Sequence, residues 1–243
     1  MVRDIELYFL IVISYSVLGW IMEVVVKFVE YKRIINRGFL VGPYCPIYGL
    51  GALLVTIFLG GYLDRPVLLF VLGLVVVTSL EYLTSVIMEK VFHARWWDYS
   101  NDRFNINGRV CLVTMVFFGI LSLGVLYIGN PFFMKLYSSL SDKALFNVCL
   151  VCGIILLLDF ITSTIILVTF RKDREAFFAE DNTEEMSAKV RKEAISKISW
   201  GQKRLIIAFP NLKHVGDKLK KNAKWAIDEY NRKIESVKEK YYK

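Results

Sequence analysis

Two histidines and four cysteines are all that this 243-residue chain offers for metal or redox chemistry. His93 and His214 stand apart from one another, and neither belongs to a recognisable triad. There is no HExxH pattern and no paired CxxC arrangement, so no metal and no cofactor is expected. Cys149 and Cys152 do show the CxxC spacing, but they, like Cys111, lie in apolar runs, and Cys45 opens one. The four read as small buried hydrophobes, not as a disulfide framework. A GxxxxGK[ST] loop is missing, which excludes nucleotide binding in the P-loop manner. The first apolar run lacks a small-residue cleavage pattern and is followed by Lys27 and Arg33, so it reads as a retained helix.

What the chain has in excess is apolar surface. Hydrophobic residues make up 55% of it, and the mean hydropathy is +0.44. A water-soluble domain of this length manages with less. The excess is concentrated between residues 5 and 170, which predicts a membrane domain over 1–170 and a polar tail over 171–243. Charge divides at the same point. Residues 1–170 carry 12 Lys/Arg against 11 Asp/Glu, whereas 171–243 carry 19 against 12.

A helix needs roughly 20 apolar residues to cross a hydrocarbon core about 30 Å thick. Five segments qualify: 5–26, 45–63, 67–88, 110–128 and 145–169. The expected fold is therefore an all-α polytopic bundle of about five transmembrane helices with a basic, helical cytoplasmic tail. Pro43 and Pro46 fall at the start of the second segment, where a helix best tolerates proline. Lys27, Lys32, Arg33 and Arg37 follow the first span, and Lys90, Arg95, Arg103 and Arg109 follow the third. Only five spans put both basic loops and the basic tail on one side. That predicts a cytoplasmic membrane location with the N-terminus outside and the C-terminus inside.

Within the tail, Ile227, Tyr230, Ile234 and Tyr241 recur at helical spacing among lysines. Such an amphipathic basic helix suits anionic lipid headgroups and not nucleic acid, or else it packs on its own membrane domain or on a partner chain.

Ionisable residues at bilayer depth are costly, so each is a functional candidate. Glu23 lies near the end of the first span and Glu81 well within the third. Both are expected to face the bundle interior. Asp159, followed by Thr162, Ser163 and Thr164, serves either function or an interhelical hydrogen bond. From Arg37 to Gly49 the turn formers and prolines prevent a regular helix at first, leaving Tyr44 and Tyr48 either as interfacial belt residues or as phenol donors to a cavity. The stretch Arg95-Trp96-Trp97-Asp98-Tyr99-Ser100, with Asn105, Asn107, Gly108 and Arg109, carries more polar groups than membrane anchoring needs. With five spans these loops share a face. Arg37, Arg95 and Arg109 are then expected to converge with Glu23, Glu81 and Asp98 on one polar pocket open to the cytoplasm.

The blocks Gly19-Trp20-Ile21-Met22-Glu23, Arg37-Gly38-Phe39-Leu40 through Gly49, Glu81, Trp97-Asp98-Tyr99 and Asn107-Gly108-Arg109 resemble a bacterial membrane family described as putative ABC-transporter type IV. The resemblance covers roughly residues 8–130. It implies a permease energised by a separate ATPase subunit, and a bacterial setting. The leading expectation is a transporter component with a cytoplasm-facing site for an anionic or amphiphilic ligand. A membrane-embedded enzyme acting on a lipid at the inner leaflet is the alternative, and a scaffold or regulator a further one. The partners expected are the bilayer, that ATPase and, as an open option, a second copy of the chain.

Overall fold

Regular structure in this protein is helical wherever the computed structural model describes it, which is over residues 2–32, 34, 36, 38–92, 95–179, 199–201 and 204. The helices are α1 (Val2–Tyr31), α2 (Pro46–Leu59), α3 (Pro66–Phe92), α4 (Leu112–Gly124), α5 (Asn130–Ser138) and α6 (Asp142–Ala179). A 3₁₀ turn, Gly60–Tyr62, extends α2, and a five-residue π-helical segment, Val125–Gly129, joins α4 to α5 without a break. Among the described residues the sole departure from helix and loop is one isolated antiparallel bridge, Ile106 to Val110.

Four helical stretches are long and apolar enough to cross a membrane: Val2–Val29, Pro66–Val91, Leu112–Ser138 and Asp142–Thr169. At 1.5 Å per residue each is about 40 Å long, more than a bilayer core requires. Only 6% of the apolar window of α6 is buried inside the protein, so Ile154, Leu157, Leu158, Ile161 and Ile165 stand out into the surroundings. An apolar belt of that extent suits lipid, not water. This is a membrane protein.

The sequence predicts a fifth span of the same kind over 45–63, and here the structure differs. The apolar helix covers only Pro46–Tyr62, about 25 Å. Residues 38–44 run as bends, and the helix starts only at Pro46, after Cys45 in extended conformation (φ −123°, ψ 94°). Proline has no N–H to give to a helix interior but loses nothing in the first turn. The other helices overrun their apolar cores at one or both ends, because polar residues such as Glu89 find partners there.

The helices pair closely, α1 with α2 and α3 with α4, using small residues at the crossings. Gly49 lies against the Val12 carbonyl and Ser16, while the Tyr48 ring covers Gly19. Gly73 meets Ser122, and Gly119 meets Phe70. Val55, Leu59, Leu69 and Leu126 form a core between the two pairs, and Leu7, Leu10 and Leu145 pack α6 onto α1.

Both ends of the bundle are fixed by contacts. At one, Arg3 bonds the Asp142 carboxylate and the carbonyls of Ser138 (3.0 Å) and Leu140 (3.1 Å), and the Tyr127 hydroxyl donates to the Leu63 carbonyl at 2.5 Å. At the other, the rings of Phe39 and Trp96 meet edge to face, 5.7 Å apart, over Leu167 and Ile166. The loops before α2 and before α4 therefore lie at the same end, as the sequence leads one to expect.

Candidate functional site

At that second end the chain from Asn36 to Cys45 must satisfy its backbone without forming a helix. Side chains do most of this. Asp159 accepts from the amides of Val41 (2.9 Å) and Gly42 (2.6 Å), from the Tyr44 hydroxyl (2.5 Å) and from Ser163. Asn36 accepts from the Trp20 indole at 2.9 Å and donates to the Val41 carbonyl at 2.7 Å. The Cys45 amide donates to the Ser16 carbonyl of α1 at 2.8 Å. The carbonyls of Gly38, Phe39 and Leu40 all accept from one guanidinium, Arg204, at 3.1, 2.9 and 2.5 Å. Asp159 lies ten residues, about 15 Å along the helix, inside the Thr169 end of its apolar stretch. Non-helical backbone at such depth is stable only when protein or water satisfies it.

The second loop folds against α3. Ile106 and Arg109 close a turn (Arg109 N–H to Ile106 carbonyl, 3.0 Å) whose central residues, Asn107 and Gly108, both have positive φ (54° and 66°). That is the arrangement of a type I′ turn, which favours Asn-Gly. A Cβ on Gly108 would in addition lie 2.3 Å from Ser100 Oγ. The turn delivers Arg109 to α3, where it bonds Glu89 and Ser85 (3.0 Å) and lies over the Tyr82 ring, 5.8 Å from its centroid. Arg95 bonds Glu89 at 3.2 Å, the Asn107 carbonyl at 3.3 Å and approaches Asp98 at 3.8 Å. Asn107 donates to the Tyr82 hydroxyl at 2.9 Å, and the Trp97 indole donates to the Arg109 carbonyl at 2.9 Å. Asp98 also caps Ser100 through its hydroxyl, at 2.6 Å.

Deeper in the bundle lie the two acids. Glu23 accepts from the Tyr48 hydroxyl at 2.6 Å. Glu81 is buried, accepts a long bond from the Tyr99 hydroxyl at 3.4 Å and has the Thr114 hydroxyl near its carboxylate, while Oε2 has no partner in hydrogen-bonding geometry. One turn earlier on α3, buried Thr78 likewise keeps its hydroxyl unpartnered. Glu23 is near enough to Glu81 for their carboxyl charges to act on one another, and the Tyr99 phenol lies near that of Tyr48. The four side chains thus form one polar cluster linking the α1–α2 pair to the α3–α4 pair.

Of the residues singled out from sequence, the structure brings Arg95, Trp97, Asp98, Asn107 and Arg109 together at the end of α3. It gathers Glu23, Tyr48, Glu81 and Tyr99 in the interior and sets Tyr44 apart with Asp159. Arg37 lies outside the described residues, as do both histidines and the amphipathic segment 219–241. Glu23 and Glu81 take phenol hydroxyls as partners, whereas Arg95 and Arg109 pair with Glu89 and not with either of them. The reason is reach: Glu81 is eight residues, about 12 Å, deeper along α3 than Glu89. Glu89, Asn36 and Arg204 were not foreseen. An acid in the last turn of a span, followed by two loop arginines, is the signal that points to Glu89.

The chain matches a family model described as putative ABC-transporter type IV over residues 8–164. No curated protein and no solved structure matches it.

Proposed function

Because the chain belongs to the putative ABC-transporter type IV family, whose match spans well over half of its length, we propose that it is the membrane-embedded permease part of a transporter, with a ligand site at the Glu23–Tyr48–Tyr99–Glu81 cluster. One observation carries this: a buried carboxylate, Glu81, well inside the span α3, with its Oε2 left without a hydrogen-bond partner. An acid at that depth is expensive, and spare hydrogen-bonding capacity there is what a ligand would use. The geometry also bears on ligand chemistry. Among the described residues Arg95 and Arg109 are engaged by Glu89, so the spare capacity at the cluster is that of a carboxylate. That favours an amphiphile whose head group donates hydrogen bonds, an amine or a hydroxyl, over a simple anion. Energy would come from a separate ATPase subunit, with the basic tail against anionic lipid.

The proposed ligand chemistry is tested by thermal unfolding in neutral detergent with a long-chain amine, alcohol or phosphate. A bound ligand at about a hundred times its Kd stabilises by about 2.7 kcal/mol. The amine or alcohol should stabilise the wild type and lose that effect in Glu81→Gln. Stabilisation by the phosphate alone would reverse the assigned polarity. The unpartnered Glu81 oxygen also suits a general acid or base, the alternative of a membrane-embedded enzyme. Chemical conversion of the amphiphile by sealed vesicles, without its movement across them, favours that alternative.

In this reading α2 completes a fifth crossing, its short helix extended by the bend 38–44, and the two loops and the C-terminus face the cytoplasm. Cysteines placed at Arg65 and at Ser100 are then expected to react with an impermeant maleimide from opposite sides of the membrane. Labelling of both from one side rejects this topology.

A further inference from the structure

Three consecutive carbonyl oxygens, of Gly38, Phe39 and Leu40, converge on one guanidinium, and the Asp159 carboxylate acts on the same charge across the intervening peptides. Arg204 itself is 9% exposed, and its bonds to these carbonyls are its contacts with a segment more than 160 residues away in sequence. A carbonyl strip with a nearby carboxylate matches the guanidinium group, which is planar, carries a fork of donors and has no acceptor. An ammonium is a point charge and cannot lie flat along the strip. The segment carrying Arg204 is also seated closely: a Cβ on Gly201 would lie 2.6 Å from Ile166 Cδ1 of α6.

We propose that the bend 38–42 and Asp159 form a guanidinium-binding site, filled in cis by Arg204, through which the C-terminal segment holds the entry to α2 in shape. The receptor lies wholly inside the family-matched residues 8–164, and its occupant lies outside them. A residue of the C-terminal segment thus completes a structure built by the membrane domain. The consequence reaches the polar cluster, since Tyr44, bonded to Asp159, stands four residues before Tyr48, bonded to Glu23. The binding site exists whether or not the cluster binds an amphiphile, so this inference does not rest on the transport reading.

Cys45, between those tyrosines, reports on the bend. In the full-length protein in detergent, with Cys111→Ser, Cys149→Ala and Cys152→Ala as background, maleimide labelling of Cys45 is timed. Arg204→Ala is expected to accelerate it about tenfold or more, as local opening replaces a bonded bend. Millimolar ethylguanidinium should restore slow labelling in that variant, leave the wild type unchanged, and have no counterpart with ethylammonium. Arg204→Lys should label at an intermediate rate. If Arg204→Ala does not fold, Arg204→Lys carries the test and should slow with ethylguanidinium. Labelling at the wild-type rate in the folded variant overturns the proposal, and so does fast labelling that ethylguanidinium fails to reverse.

Discussion

Replacing Asp159 by alanine should destabilise the protein by about 2–4 kcal/mol, because it takes the acceptor from several donors of a half-buried bend at once. The carboxylate is the acceptor for the Gly42 amide and the Tyr44 phenol, and it shares the Val41 amide with Ser163. Alanine leaves these part-buried donors without their acceptor, and an orphaned donor costs up to about 1–3 kcal/mol. Asparagine keeps one oxygen acceptor but sets an NH₂ against the remaining donors, so Asp159→Asn should lose less, about 1–2 kcal/mol. Equilibrium unfolding in detergent, followed by circular dichroism, measures both. An alanine variant as stable as the wild type would falsify the view that Asp159 anchors the bend, and leave it as a lipid-facing polar residue.

The second large effect is expected at Gly49, and its control lies two residues away on the same helix. A Cβ at Gly49 would sit 2.2 Å from the Val12 carbonyl oxygen and 2.3 Å from Ser16 Oγ. The first of these is backbone and cannot swing aside, so Gly49→Ala must push α1 and α2 apart. A cost of about 3 kcal/mol is expected, at the upper end of the usual range for overpacking. At Gly51 the nearest atoms, on Leu80 and Val77, would be 3.7 Å away, an ordinary contact. Gly51→Ala should therefore be neutral or stabilising by up to about 1 kcal/mol, through the entropy that glycine costs in a helix. The pair is read by the fraction of monodisperse protein after extraction and by melting temperature. Equal behaviour of the two variants would show that the α1–α2 crossing is looser than these distances imply.

Much of this architecture was written in apolar runs. Four of the five expected spans form helices of spanning length, because a run of twenty or more apolar residues has few other stable options in lipid. The second run was harder to read. Its prolines and glycines signal an irregular start, but not that side chains from two distant segments, α6 and the one carrying Arg204, would satisfy the backbone there. The same limit applies to the site. Glu23 and Glu81 were visible as acids in apolar surroundings, and Arg95, Asp98, Asn107 and Arg109 as polar excess in a tryptophan-bearing loop. Their pairing was not visible, because it depends on helix phase: Tyr82, Ser85 and Glu89 share a face of α3 that the loop meets, and Glu81 lies deeper. The link from Arg204 to Gly38 spans 166 residues and follows no local pattern.

The π-helical segment Val125–Gly129 changes the phase of the helix that contains it. A π turn carries about one residue more than an α turn, so the half of the helix beyond it is offset by roughly one residue's rotation, about 100°. Before the segment, Gly119 and Ser122 face Phe70 and Gly73 of α3. After it, Asn130 bonds Thr56 of α2 (2.8 Å) and the Tyr15 hydroxyl of α1 (3.1 Å), and Phe133 packs on the Tyr15 ring. One continuous helix thereby serves two sets of neighbours that a uniform helix would not present together. Removing a single residue between Val125 and Gly129 would restore the α repeat and turn the Asn130 half away from α1 and α2. The polypeptide's length at this point acts as a vernier, and one residue is its smallest division.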